Sequence, residues 1–431
     1  MNQSIRVAIV GGGIAGLALA TQLVKFPHLN VHLYEAATKF AEIGAGISFG
    51  ANAVKAIEIL NLAQEYHAIA DTVVAPHQNV WFQWRNGYND DFLSASIAEG
   101  VGQSSVHRAD FLDAIVPHMP LSHVHFSKKI ESLQEDDSGV HLTFADGHQA
   151  SYDYVIGADG IHSVVRDYVL ASQDLAMVRP RFSGTWAYRG IIQYQDFKQA
   201  IQHLGNAVEI ADVPQMFLGK DKHILTFPIR QGEEINIVAF KSNRQDTFLA
   251  PNALWTHPVS KQQMMDDFAD WSDSCRALLN LIEQPTMWAL HDIEELSRYQ
   301  SRSGRVILMG DAAHAMVPHQ GAGAGQGLED AAFLMHLLSD PHLRVEHLAS
   351  VSDIYQNIRL PRACQVQRTS LESGEIYELY STEYANFAQI GQHLAHRFDW
   401  LWQHDLMQEI HQAKKTLQQE MNTLVQASCA L

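Results

Sequence analysis

Short apolar runs separated by polar turns predict that the chain begins as a β-α-β unit. Residues 5–10 are almost entirely apolar and predict a buried strand. Residues 17–26 predict a helix, and residues 31–35 predict a second strand. Further strands are predicted in the first part of the chain at residues 124–126, 140–144 and 152–156, with a polar turn at residues 135–139.

The middle of the chain changes to short strands that alternate with polar turns. These strands are predicted at residues 181–192, 207–210, 215–218, 223–228 and 235–241. Such hairpins imply a mostly antiparallel sheet. Side chains alternate along a strand, so we expect His223, Leu225 and Phe227 on one face of their strand. Val238 and Phe240 share a face for the same reason.

The last part of the chain returns to the first pattern and then becomes helical. Residues 305–309 predict a buried strand, which a glycine-rich loop connects to a helix at residues 328–338. Pro361 is expected to kink or end the helical segment that starts near Ser352. An amphipathic helix is predicted at residues 406–425.

These elements predict an α/β fold in which an antiparallel sheet is inserted into a Rossmann-like nucleotide-binding domain. A chain of 431 residues is long enough for two such units. The predicted division is residues 1–174 for the first part of the nucleotide-binding domain, 175–290 for the substrate-binding sheet, 291–345 for the second part of the nucleotide-binding domain and 346–431 for a C-terminal helical region.

The turn after the first strand predicts a dinucleotide site. Gly11, Gly13 and Gly16 form a G-x-G-x-x-G motif between a predicted strand and a predicted helix. The first glycine makes the turn, the second lets the backbone approach a pyrophosphate, and the third allows close packing of helix on strand. Glu35 ends the second strand, where a carboxylate can bind the ribose of an adenosine. The motif does not distinguish NAD from FAD.

Other polar residues are predicted at strand ends and helix starts. The loop within residues 310–330 lies before a helix, so its N–H groups can approach a negatively charged ligand. Asp159 and Asp311 each follow a strand in a glycine-flanked turn, where a carboxylate can bind sugar hydroxyls or cap a helix. Arg108 is expected at a helix start, where it can neutralise a pyrophosphate or form an ordinary ion pair.

Charge and cysteine content exclude several kinds of partner. A net charge of −18 argues against nucleic acid or an anionic membrane as a partner. No run of residues reaches the roughly 18 apolar positions of a membrane helix. The cysteines are Cys275, Cys364 and Cys429, whose number and spacing suggest neither a disulfide framework nor a zinc site. We therefore expect no metal site and a reducing, cytoplasmic location.

Three motifs together resemble those of the class A (single-component) flavoprotein aromatic hydroxylases. They are residues 11–16 with Glu35, the Gly-Ala-Asp-Gly of residues 157–160, and the Gly-Asp-Ala-Ala-His of residues 310–314 with Pro318. The resemblance implies a para-hydroxybenzoate hydroxylase-like fold, tightly but non-covalently bound FAD, and NADH as a transient co-substrate. It also implies a small aromatic acid and O₂ as substrates, and a monomer or homodimer.

Further segments resemble the bacterial members of this family that act on salicylate. They are residues 102–111, 182–185, 223–228, 318–327 and 397–402, so the likeness extends over nearly the whole chain. It implies an oxidative decarboxylation, in which salicylate, NADH, O₂ and protons give catechol, CO₂ and water. The alternatives are a related hydroxybenzoate or hydroxynicotinate hydroxylase with the same FAD residues, and a non-catalytic FAD- or NAD-binding protein.

Spacing and resemblance together assign candidate residues to the cofactor. The glycine turns and their neighbours would contact the pyrophosphate, the sugars and the pyrimidine edge of the flavin. The candidate FAD contacts are Gly13, Ile14, Ala15, Gly16, Glu35, Ala36, Gly46, Arg108, Ile130, Asp159, Asp311, Pro318, Gly321, Gly323 and Ala324.

The implied substrate requires a proton acceptor, a cation and apolar walls. His319 is the first candidate for the base, because it adjoins the flavin-binding glycines and a histidine titrates near neutral pH. His223 is the second candidate. Arg244 is the candidate partner of the substrate carboxylate. The candidate walls are Met216, Leu225, Val238, Phe240 and Pro318.

Overall fold

The computed structural model describes residues 4–40, 46–73, 75–206, 209–250 and 253–429, with side chains described to residue 423. Its strands are β1 (Ile5–Val10), β2 (Leu29–Tyr34), β3 (Gly46–Phe49), β4 (Asp71–Thr72), β5 (Val80–Asn86), β6 (Phe92–Ile97), β7 (Ser104–His107), β8 (Val124–His125), β9 (Ile130–Asp136), β10 (Gly139–Phe144), β11 (Gln149–Tyr152), β12 (Tyr154–Gly157), β13 (Arg181–Gln193), β14 (Gln215–Gly219), β15 (Lys222–Ile229), β16 (Glu234–Ser242), β17 (Thr256–Pro258), β18 (Thr286–Asp292) and β19 (Val306–Leu308).

The helices follow in the same chain order. They are α1 (Ile14–Leu23), α2 (Ala51–Ile59), α3 (Ala63–His67), α4 (Arg108–Ile115), α5 (Val164–Ser172), α6 (Tyr194–His203), α7 (Glu209–Asp212), α8 (Lys261–Asp267), α9 (Asp273–Asn280), α10 (Asp311–His314), α11 (Gly323–Leu338), α12 (Leu348–Tyr377), α13 (Phe387–Leu394), α14 (Asp399–Trp402) and α15 (Leu406–Cys429). Single 3₁₀ turns lie at Val116–His118, Leu121–His123, Pro318–Gln320 and Val345–His347.

A five-stranded parallel sheet forms the nucleotide-binding part, in the order β19-β12-β1-β2-β8. Its central strands are buried on both faces, which explains the continuous apolar runs in their sequences. The helices α1 and α11 pack against each other beside this sheet. Ligands bind at the carboxyl ends of such strands, and the loops after β1, β12 and β19 all lie at that edge.

An eight-stranded sheet forms the second layer, in the order β17-β18-β13-β16-β15-β14-β5-β6. Its pairs are antiparallel except for β14 with β5, which run parallel. One face is covered by α6, α8 and α9, whose apolar side chains form a core of their own. Two strands of this sheet, β5 and β6, come from outside the predicted segment of residues 175–290.

Most predicted elements are present, but one is a helix instead of a strand and two have different bounds. The strand predicted at residues 207–210 is a helix, α7, where the structure describes it; residues 207 and 208 lie outside the described residues. The turn predicted at residues 135–139 is narrower, because β9 extends to Asp136. Pro361 does not end its helix, which continues to Tyr377. Arg359 and Arg362, on either side of Pro361, form ion pairs with Glu329 of α11.

A buried ion network joins α12 to α11. Arg359 donates to Asp330 Oδ1 at 2.8 Å and to Glu329 Oε2 at 2.7 Å, and Arg362 donates to the same Glu329 oxygen at 2.6 Å. Burial alone would lower the pKa of Arg359, but the two carboxylates raise it. The other oxygen of Asp330 accepts a hydrogen bond from Gly310 N at 3.0 Å. The network therefore fastens the start of the loop that follows β19.

No helix in the described part of the chain is long and apolar enough to cross a membrane.

Candidate active site

The glycine turn after β1 is packed too tightly for larger residues. Gly11 has a φ of +109°, and a Cβ atom built on it would lie 2.1 Å from the carbonyl oxygen of Ala158. A Cβ atom on Gly16 would lie 2.1 Å from the carbonyl oxygen of Gly11. These contacts seat the N-terminus of α1, capped by Gly13, at the end of β1. The turn thus presents backbone N–H groups and the positive end of a helix dipole to a ligand.

The loop after β19 meets this turn. A Cβ atom on Gly310 would lie 3.4 Å from the Cβ of Ala15, and one on Gly327 would lie 2.9 Å from the same atom. Asp311 begins α10, is exposed, and has no hydrogen-bond partner among the described residues. A carboxylate is therefore available beside the glycine turn.

The carboxylate of Glu35 supports the glycine turn. Its Oε2 accepts a hydrogen bond from Gly12 N and its Oε1 accepts one from Ala37 N, each at 2.7 Å. Ala36 follows it on the surface. Glu35 thus lies between the turn and the end of β2, where the adenosine ribose is expected.

The candidate FAD contacts Asp159, Ile130 and Arg108 lie in three different environments. Asp159 accepts hydrogen bonds from Val164 N at 2.8 Å and Val165 N at 3.2 Å, which are the contacts of a helix-capping carboxylate. Burial raises the pKa of Asp159. Ile130 is buried in the core, so its side chain does not face a groove. Arg108 begins α4 as expected.

Four more candidate FAD contacts lie on β3 and around the start of α11. Gly46 pairs with His107 in the β3-β7 ladder, and its Cα faces Phe227 and Ile229 of β15. Gly321 has a left-handed φ of +63° and lies against Trp81. Gly323 and Ala324 form the first turn of α11, so their N–H groups are available to a ligand.

A cavity of about 40 Å³ lies between the eight-stranded sheet and the loop after β19. The predicted residues Met216, Leu225, Pro318 and His319 line it. Most of its other walls are aromatic. Its remaining lining residues are Ser48, Trp81, Phe82, Trp84, Phe227, Gln320, Gly321 and Tyr377.

The predicted face of the sheet is confirmed by the strand register. His223 pairs with Phe240, and Leu225 pairs with Val238, so all four share the face towards the cavity. Val238 also pairs with Arg189 of β13. The guanidinium of Arg189 lies 4.7 Å from the centre of the Trp288 ring, and burial lowers its pKa to about 10. This face therefore carries a second cation, Arg189, which the local sequence pattern does not reveal.

The two candidate histidines are in contact. The rings of His319 and His223 are edge to face, with centres 5.2 Å apart, and His223 stacks on Phe240 at 4.1 Å. Both histidines are buried. Burial lowers the pKa of His319 to about 3 and also lowers that of His223. Both rings are therefore neutral at pH 7, and His319 is the one that lines the cavity.

Arg244 is not a free cation in this structure. It follows the end of β16, and its Nη1 forms an ion pair with Glu378 Oε2. The other oxygen of Glu378 lies 2.9 Å from His223 Nδ1. Glu378 follows α12 directly, and the sequence analysis missed it because a helical pattern does not show which distant strand a helix end will meet. The tryptophans of β5 were missed too, although the apolar run from residue 80 to 84 was a usable signal.

The site fits FAD and defines a dinucleotide-binding flavoprotein. Gly11 and Gly16 allow the tight turn and the close packing of helix on strand that a dinucleotide motif requires. The N-termini of α1 and α11 both favour a negatively charged group. Asp311 has a carboxylate to offer to a sugar hydroxyl.

Comparison with known proteins agrees with this geometry. The sequence profile of a family described as an FAD binding domain matches residues 4–370. A salicylate hydroxylase of Pseudomonas putida is 50% identical over 417 residues, which cover 96% of this chain and 95% of that protein. A 6-methylsalicylate 1-monooxygenase of Aspergillus terreus is 39% identical, covering 94% of this chain and 90% of that protein. A solved salicylate hydroxylase substrate complex has a TM-score of 0.90 at 41% identity, covering 95% and 98% of the two chains.

The chain belongs to this FAD-binding family. It is an FAD-dependent monooxygenase with the predicted fold, so the predicted fold class, enzyme class and FAD cofactor are confirmed.

Gly11→Ala is expected to weaken both the fold and FAD retention. The new Cβ atom would overlap the carbonyl oxygen of Ala158, and the φ of +109° is unfavourable for alanine, so we expect a loss of about 2–4 kcal/mol in unfolding free energy. Gly100→Ala is the matched control, because Gly100 has a φ of +76° with nothing within 4 Å. Thermal unfolding and the flavin absorbance of the purified proteins measure the difference; equal values for the two variants would contradict the tight packing of the turn.

Proposed function

We propose that this enzyme converts salicylate to catechol and CO₂, using NADH and O₂. The observation that carries the proposal is the aromatic-walled cavity beside the loop after β19, with His319 in its lining and Arg244 connected to His319 through Glu378 and His223. The likeness to a salicylate hydroxylase at 50% identity supports the same substrate. Bound FAD would supply the activated oxygen, at the expense of NADH and O₂.

The residues of the chain have three tasks in this reaction. His319 accepts the hydrogen bond of the substrate phenol, because a neutral imidazole offers a lone pair and this ring lines the cavity. Met216, Leu225 and the aromatic walls hold the ring and exclude water, which protects an activated oxygen species from wasteful decay. Glu35, Asp311 and the glycines of the two loops hold the cofactor.

Arg244 is the proposed partner of the substrate carboxylate. Its Nη1 binds Glu378, which leaves further guanidinium N–H groups for a second carboxylate. Attack at the ring carbon that bears the carboxylate then leads to loss of CO₂, which restores the aromatic ring. Holding the carboxylate therefore also orients the carbon that reacts.

Arg244→Ala is expected to raise the KM for salicylate by about 10- to 100-fold, the usual value of a charge-assisted hydrogen bond. Arg244→Lys keeps the charge and serves as the control, and thermal unfolding separates lost binding from lost stability. An unchanged KM for the alanine variant would show that another cation binds the substrate carboxylate. Arg189 is then the next candidate, because it shares the face of Val238.

The activity itself is tested by product analysis. Purified holoenzyme is incubated with salicylate, NADH and O₂, and catechol and CO₂ are measured against NADH consumed. One catechol and one CO₂ for each NADH are expected. NADH consumption that yields only H₂O₂ would overturn salicylate as the substrate and favour a related hydroxybenzoate or hydroxynicotinate, which the same assay tests.

A further inference from the structure

Glu378 occupies a central position in a buried polar cluster behind the cavity. One of its carboxylate oxygens lies 2.9 Å from His223 Nδ1, and the other is paired with Arg244. The side chains of Glu378 and His223 are both 0% exposed, and that of Arg244 is 12% exposed. A carboxylate at such depth is costly unless its partners stabilise its charge.

The hydrogen bond between Glu378 and His223 fixes which nitrogen of the imidazole carries the proton. Burial alone would raise the pKa of Glu378, but its hydrogen bond with His223 and the charge of Arg244 bring it down to about 2. An ionised carboxylate only accepts hydrogen bonds, so His223 Nδ1 must be the donor. His223 Nε2 then carries the lone pair, and this buried nitrogen has no hydrogen-bond partner among the described residues.

The surroundings of His223 are otherwise poor in charge. Phe240 covers one side of its ring, and Tyr377 contacts it edge to face with ring centres 5.4 Å apart. Burial raises the pKa of the Tyr377 hydroxyl, so this group stays neutral. Among the described residues, the titratable and charged groups that face His223 are Glu378, Arg244, His319 and Tyr377.

We propose that Glu378 is a positioning residue for ionisation of the substrate phenol, acting through the contacting pair His223 and His319. In this step the phenol O–H bond breaks and an N–H bond forms on the histidine pair, giving a phenolate and one imidazolium with no change in oxidation state. Glu378 fixes the tautomer of His223 and supplies the negative charge that stabilises the imidazolium. An ionised phenol is the electron-rich form that an electrophilic oxygen attacks faster. The inference rests on the proposed function, because it assumes a phenolic substrate in this cavity.

The arrangement gives the two histidines separate tasks. His319 lines the cavity, whereas His223 lies behind it and makes the contact with the carboxylate. Without a neighbouring negative charge, burial would strongly disfavour the imidazolium that forms when this histidine pair takes up a proton. An aspartate or glutamate that orients a catalytic imidazole plays the same physical role in other enzymes.

Glu378→Gln tests the proposal, because glutamine keeps the size of the side chain and can still accept from Nδ1 but lacks the charge. Oxidised holoenzyme saturated with salicylate is titrated with base in the absence of NADH, and the phenolate is followed by its difference absorbance. We expect the apparent pKa of the bound phenol to rise by about one unit or more. At pH 7, kcat should fall by about 100-fold and recover in part at higher pH.

Glu375→Gln is the control, because Glu375 lies on the same helix, is only half-buried and has no side-chain hydrogen bond among the described residues. It should leave the phenol titration unchanged. If Glu378→Gln does not fold, His223→Phe keeps the Glu378 pair with Arg244 and should raise the phenol pKa in the same way. An unchanged phenol pKa in either folded variant, with only the melting temperature lowered, would overturn the proposal and leave Glu378 as part of a structural ion pair.

Failure of the proposed function would look different. Wild-type enzyme that binds no salicylate would overturn the substrate assignment, and the titration is then made with the hydroxybenzoate or hydroxynicotinate that the product assay identifies. A shifted phenol pKa with that acid would support the role of Glu378, and an unshifted one would overturn it.

Discussion

Arg359→Ala is expected to lower the free energy of unfolding by about 3–5 kcal/mol, the usual cost of removing one partner from a buried ion pair. The change leaves Glu329 and Asp330 without the guanidinium that donates to both of them at 2.7 and 2.8 Å. Because Asp330 also holds Gly310 N, the loop after β19 should loosen and bound FAD should be lost more readily. Urea unfolding followed by tryptophan fluorescence, with flavin content of the purified protein, measures both effects.

Arg368→Ala is the matched control on the same helix. Arg368 is 61% exposed and pairs with Glu295 at 3.2 Å, and exposed pairs of this kind contribute only about 0–1 kcal/mol. If the two variants lose similar free energies of unfolding, the buried network does not stabilise the protein more than an exposed ion pair does.

His319→Ala is expected to reduce hydroxylation by about 10²- to 10⁴-fold while FAD binding changes little. The ring lines the cavity and offers the lone pair that a phenol needs, so its removal takes away general-base assistance. The residues proposed to hold the cofactor are others, among them Glu35 and the two glycine loops. Product formed per NADH consumed measures the coupling, and flavin absorbance measures the retained cofactor.

A second substitution separates chemistry from packing at this position. The His319 ring contacts the backbone of Gly374, so alanine also leaves a gap, whereas His319→Gln fills more of the space and keeps an acceptor. We expect the glutamine variant to lie between wild type and alanine in turnover. Normal catechol formation by His319→Ala across the pH range would remove this residue from the mechanism.

Local patterns were enough to predict the nucleotide-binding half of the fold. The strand, glycine turn, helix and second strand at residues 5–35 are consecutive in the chain, so their geometry depends on near neighbours. The shared face of His223, Leu225 and Phe227 followed from the alternation of side chains along one strand. The pairing of β5 with β14 could not be predicted in this way, because it joins residues that are distant in sequence and differ from the antiparallel pattern around them.

The candidate site was predicted only in part, because local patterns reveal some of its residues but not their contacts with distant ones. His319, Met216 and Leu225 do line one cavity, as their motifs and strand positions suggested. Arg244 was predicted to bind the substrate carboxylate, and its pairing with Glu378 depends on the position of the distant end of α12. The apparent stop signal at Pro361 concealed that α12 continues far enough to bring Tyr377 and Glu378 to the sheet.

The helix α12 is long enough to connect the loop after β19 with the cavity. Arg359 and Arg362 anchor it beside the cofactor loop, and Tyr377 lies on the cavity about 27 Å further along at 1.5 Å per residue. A rotation of one degree about that anchor moves the far end by about 0.5 Å over this length. A change at the anchor is therefore expected to displace Tyr377 at the cavity as well as the loop after β19.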